Sequence, residues 1–123
     1  MENIHLPPPK GDIEYVYSDN QIIIVEKPAN MLSVPGNTIE KQDCLIHRVQ
    51  QRFSGARIVH RLDFSTSGLM VIARNGEAHR NLSLQFQNRK TEKAYVAKVY
   101  GHPEMESGEI NLPLRCDWEK RPR

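Results

Sequence analysis

The segment HRLDFSTSGLMVIA, residues 60–73, divides into two unlike halves. The first mixes charges and hydroxyls: His60, Arg61, Asp63, Ser65, Thr66 and Ser67. The second, LMVIA after Gly68, is an unbroken apolar run of strand length, which suits a buried strand. A second short apolar run, RIV, precedes His60. The polar half therefore reads as a loop between two strands, and Asp63 is a carboxylate at the edge of a sheet.

Working outward, IEYVYSDNQIIIVEKP (residues 13–28) gives two β-rich runs separated by Ser-Asp-Asn turn residues and closed by Pro28, which predicts a strand pair. Residues 30–43 carry Pro, Gly and Asn punctuation and read as loop. Leu45, Val49 and Phe53 then recur at four-residue spacing, with Asp43 as the expected cap and Gly55 as the stop, which predicts a helix. Ala78, Leu82 and Phe86 repeat the pattern within residues 77–90, and the basic residues after them suit a helix carboxyl end. EKAYVAKVYG (92–101) is a long strand candidate, and EINLPL (109–114) a shorter one. This order fits an α+β fold rather than a regular βαβ repeat. The Pro-rich opening reads as a flexible arm over residues 1–13, leaving 14–123 as one domain.

Composition narrows the class. A chain of 123 residues with 38% hydrophobic and 26% charged side chains can close a single core. Its two cysteines, Cys44 and Cys116, are too sparse for a disulfide scaffold and fit a cytoplasmic protein. The opening residues lack the basic flank and apolar centre of a signal peptide, and no apolar stretch is long enough to span a bilayer, so no membrane association is expected. The net charge of +2 conceals a basic centre: residues 46–100 hold ten Lys/Arg against three Asp/Glu. Such an excess favours a polyanion through counterion release, although solvated surface charge produces the same count.

Asp63 is the leading candidate for chemistry. A carboxylate at a sheet edge is costly to desolvate without a cation or donors, and Arg61, Ser65, Thr66 and Ser67 are close in sequence. Such a group can act as base or nucleophile, whereas an ordinary turn Asp satisfies loop amides. Arg61, two residues earlier, can pair with that carboxylate or meet a phosphate. His60 can move protons but more often serves as a hydrogen-bond partner. No G-x-S-x-G elbow surrounds the serines, and HRLD lacks the Gly-rich loop and D-F-G of a kinase, which argues against both classes. Cys44 and His47 have no second ligand pair, so no metal is expected. Tyr95 can stack on a base or pack in a sheet.

HRLDFSTSGL resembles the H-R-L-D-x-x-T-S-G-L motif of the RluA-type RNA pseudouridine synthases. VEKPANMLSVPG (25–36) resembles the family's Lys-Pro segment, and KAYVAKVYG (93–101) its K-x-Y-x-A-x-V-x-G strand, both in the family's order. The resemblance implies a mixed, mainly antiparallel sheet flanked by helices, and the isomerisation of uridine to pseudouridine within RNA without a cofactor. It makes Asp63 the catalytic aspartate, as nucleophile or as base. It also places Tyr95 against the target base, and Arg61 and His60 beside the RNA. Leu62, Thr66, Ser67, Gly68, Lys27 and Pro28 become supporting positions of the motifs. The implied partners are 23S ribosomal RNA and transfer RNA.

The family also carries a later segment resembling G-R-x-H-Q-L-R, whose arginine pairs with the aspartate, and this chain has no such segment. It is accordingly expected to be the amino-terminal portion of a catalytic domain, with an open sheet edge and an unfinished core.

Overall fold

The computed structural model describes residues 9–115. Two strands, β1 (Glu14–Ser18) and β2 (Ile22–Lys27), form the expected hairpin. Asp19 sets its turn: Oδ1 accepts from the amides of Gln21 at 2.7 Å and Ile22 at 2.8 Å, while Oδ2 accepts from the Tyr17 hydroxyl. Helix α1 (Leu45–Arg52) follows, then the short β3 (Arg57–Ile58), β4 (Gly68–Ala73) and helix α2 (Gly76–Gln87). The sheet order is β1-β2-β4-β3, antiparallel throughout. The fold is thus α+β, as the element order implied.

Strand alternation builds the core. Ile23 and Val25 of β2, and Met70 and Ile72 of β4, point to one face, where Leu45, Ile46 and Val49 of α1 meet them. The other face of β4 is different: Leu69 is 62% exposed and Val71 half-buried. The apolar run LMVIA is therefore covered fully on one face, while the second face is closed at Ala73 and opens towards Leu69.

Three expectations need correction. Asp43 does not cap α1, because Cys44, extended and fully buried, takes the position before the helix. The Asp43 carboxylate turns instead to the Arg48 guanidinium, at 2.8 and 2.9 Å. The helix also ends at Arg52, ahead of Phe53 and Gly55; a Cβ on Gly55 would lie 2.9 Å from the Arg74 carbonyl oxygen, so this glycine serves close approach of the chain to the end of β4. Finally, residues 92–101 and 109–114 form no strands. Alternating sequence creates a strand only where a neighbour supplies ladder hydrogen bonds and a surface to bury against, and Val96 and Tyr100 are fully exposed.

Helix α2 begins as a capped helix should, with Asn75 Oδ1 accepting from the Ala78 amide at 2.8 Å. Asn75→Ala is expected to lower stability by about 1 kcal/mol, read as a lower midpoint in thermal unfolding, and Asn75→Asp to recover most of it. An unchanged midpoint for Asn75→Ala would show that the cap contributes nothing. The Pro-rich arm lies partly, and Cys116 wholly, outside the described residues.

Candidate active site

The connection between β3 and β4, residues 59–67, carries the HRLD motif as a loop. Asp63 opens a turn closed by the Thr66 amide, which donates to the Asp63 carbonyl at 3.0 Å. Its neighbours point the other way. Leu62 belongs to the core, and Phe64 is half-buried with its carbonyl accepting from the Met31 amide at 3.3 Å. Asp63 is thus an exposed carboxylate flanked by anchored residues.

Lys27, a supporting position of the motifs in sequence, carries a buried ammonium on which the Asp63 charge acts. It lies on β2 in line with Ile23 and Val25 and is fully buried. Its Nζ donates to the carbonyls of Met31 at 2.7 Å, Pro28 at 2.9 Å and Phe64 at 3.3 Å. Burial of the ammonium lowers its pKa to about 8, and the negative charge of Asp63 opposes that fall. One ammonium therefore ties the turn after β2 to the residue following Asp63. The turn itself includes Asn30 in the left-handed region (φ 62°), a conformation that Asn tolerates. Of the two partners open to Arg61, the Asp63 carboxylate is not taken up. Arg61 is exposed, and among the described residues no hydrogen bond or ion pair reaches the Asp63 carboxylate, from Arg61 or from the loop hydroxyls.

His60 acts as a cross-link. Its Nε2 accepts from the Val71 amide at 3.1 Å, which places the ring proton on Nδ1, and burial together with the Lys93 charge lowers its pKa. Its ring stacks on Phe86 with centroids 4.4 Å apart. Phe86, noted in sequence only as a helix-face residue, thereby becomes part of the site.

An open cleft of about 1030 Å³ lies over the Leu69 and Val71 face of β4, bordered by Phe86 of α2 and by residues 91–98. It brings together His60, Thr66, Ser67, Gly68 and Tyr95, with Leu69 and Phe86 on its apolar lining. Tyr95 is 60% exposed. Asp63, Arg61 and Lys27 do not line this cleft. Gly68 enters β4 at φ +143°, which glycine adopts without strain, directly opposite Lys27 in the sheet. Cys44 is a buried core residue, and His47 Nδ1 lies 2.7 Å from the Gln42 carbonyl oxygen. Among the described residues no helix is long and apolar enough to cross a membrane.

Antiparallel sheet, anchored aspartate loop and an aromatic-lined cleft are the frame on which the sequence comparisons fall. The family described as RNA pseudouridylate synthase matches residues 21–123, and the chain belongs to that family. Among individual members, it is 49% identical over 116 residues to the dual-specificity RNA pseudouridine synthase RluA of Vibrio parahaemolyticus, covering 94% of this chain and 46% of that one. It is 44% identical over 123 residues to the RluA of Escherichia coli K12, covering 100% of this chain and 56% of that one. The solved human RNA pseudouridylate synthase domain containing 1 superposes with a TM-score of 0.52 at 29% identity, over 66% of this chain and 31% of its own. The chain spans about half the length of the curated relatives it matches.

Proposed function

We propose that the protein is an RNA pseudouridine synthase acting on uridines of 23S ribosomal RNA and transfer RNA in the cytoplasm, with Asp63 as its catalytic group. Residues 14–123 then form the amino-terminal portion of the catalytic domain, and residues 1–13 an arm. The observation that carries this reading is the placement of Asp63: an accessible carboxylate in the family motif, on a loop whose adjoining residues are held by buried contacts. Membership of an RNA-acting family supports an RNA substrate, and the dual-specificity relatives support two kinds of RNA.

The reaction breaks the bond from ribose C1′ to uracil N1, turns the base, and joins C1′ to C5. The hydrogen on C5 leaves as a proton and N1 regains one, so the conversion is a net isomerisation and consumes no oxidant or reductant. Asp63 serves at the ribose, as nucleophile or as base. The target base has to leave its stack, and an aromatic surface offsets part of that cost. Tyr95 is exposed and has an aromatic face suited to pack on it, while Arg61, free of a carboxylate partner among the described residues, is available to phosphate.

The test is tritium release from RNA labelled at uridine C5, using the full-length protein with 23S ribosomal RNA and transfer RNA in parallel. Stoichiometric release is the expected result. Absence of release from both, with RNA binding intact, would leave an RNA-binding module and overturn the reading.

A further inference from the structure

We propose that Ser33 is a positioning residue for Asp63, its buried hydroxyl replacing the backbone partner that Leu62 lacks. Strand β3 stops at Ile58 and β4 starts at Gly68, so Leu62 sits between ladders while its side chain is drawn into the core. A buried peptide group needs partners for both its N–H and its C=O. Ser33 supplies both with one atom: Oγ donates to the Leu62 carbonyl at 2.6 Å and accepts from the Leu62 amide at 3.1 Å. Ser33 is only 4% exposed, and its Oγ also lies 3.8 Å from the Met70 sulfur, which closes the site on the sheet side.

Ser33 is itself fixed from behind. Its carbonyl accepts from the Ile46 amide at 3.2 Å and the Leu32 carbonyl from the Leu45 amide at 2.8 Å, so the first amides of α1 hold the 32–33 backbone. A continuous line of contacts thus runs from α1 through Ser33 to the carbonyl of Leu62. That carbonyl shares a rigid peptide plane with the amide of Asp63. Holding it fixes the axis from which the Asp63 side chain projects, independently of the Lys27 and Met31 contacts to Phe64 on the far side. With the hydroxyl removed the plane is free to rotate, and a carboxylate displaced by about 1 Å can lose on the order of 100-fold in rate.

This role rests on the synthase reading, and the experiment separates the two. In the full-length protein, Ser33→Ala is expected to lower the single-turnover rate of tritium release at saturating RNA by about 10- to 100-fold, with RNA affinity within about twofold of wild type. Asn75→Ala, at the cap of α2 and outside this line of contacts, controls for destabilisation and is expected to keep the wild-type rate per folded molecule. Hydrogen exchange reads the clamp without activity: the Leu62 amide is expected to be protected in the wild type. In Ser33→Ala, residues 59–66 should exchange faster while residues 45–52 do not. Equal rate losses in the two variants, or a Leu62 amide that exchanges in the wild type as fast as an exposed one, would overturn the proposal. If Ser33→Ala does not fold, Ser33→Cys, which keeps the size but weakens both hydrogen bonds, is expected to show the same loss of rate at near wild-type RNA affinity, and a wild-type rate in it would overturn the proposal. A wild type that releases no tritium overturns the synthase reading, and the exchange measurement then decides the clamp alone.

Discussion

Asp63→Asn is expected to lower tritium release by at least about 1000-fold, the scale seen when the reacting group of an enzyme is removed, while RNA affinity and thermal stability stay near wild type. Asparagine has the shape of aspartate without its charge, so it neither attacks a ribose carbon nor takes its proton. Stability is expected to hold because the carboxylate is exposed and accepts no hydrogen bond from any described residue. The change in stability that does follow has a definite sign. The Asp63 charge offsets part of the cost of burying the Lys27 ammonium, so its removal lowers the Lys27 pKa further and costs a little stability at neutral pH. Single-turnover release, filter binding and a melting curve on one preparation provide all three readings. Turnover that survives in Asp63→Asn would remove this carboxylate from the chemistry, whatever the motif suggests.

How much of this was legible before the structure depends on whether the deciding contacts are local. The hairpin was readable because Asp19 and its neighbours make the turn with their own amides. The helices were readable from four-residue spacing, and the Asp63 loop from the change of composition at Gly68. Residues 92–101 were not readable as they stand, because their alternation describes a strand only when another strand lies beside it. The cap of α1 was misread for a related reason: Asp43 competes between the helix amides and Arg48, and the choice is made in space.

Lys27 and Ser33 show the limit from the other side. Nothing about a Lys before a Pro, or a Ser in a loop, announces a buried donor. Yet the two-residue period of β2 contained a signal, since Lys27 continues the inward series Ile23, Val25. A lysine on the inner face of a strand must find acceptors, and here it finds three carbonyls, two in the turn after β2 and one on the residue following Asp63. The Ser33 contact joins positions 29 residues apart in the chain, and no local pattern encodes it. The catalytic candidate was therefore visible in the sequence, and the buried contacts that hold its neighbours were not.

Lys27→Met tests the buried ammonium by stability. Methionine fills similar volume, but it withdraws the donor from the Pro28 and Met31 carbonyls, whereas the Phe64 carbonyl keeps the Met31 amide. Bonds lost from a charged donor and acceptors left bare outweigh the relief of desolvating one ammonium, and the net cost at pH 7 is expected to be about 2 kcal/mol. The pH dependence identifies the group. Below pH 8 Lys27 is protonated in both folded and unfolded chains, and its contribution does not vary. As pH rises through about 8 the folded chain loses this proton, while an unfolded chain keeps it until about 10.4. Over that window the unfolded state binds more protons, so Lys27 makes the wild type progressively more stable relative to Lys27→Met. Urea unfolding of both full-length proteins at pH 7, 8, 9 and 10 is expected to show a constant difference at first and a widening one above pH 8. A difference that stays level or narrows would mean that the buried ammonium holds its proton as an ordinary lysine does, and that the three carbonyls compensate its burial in full.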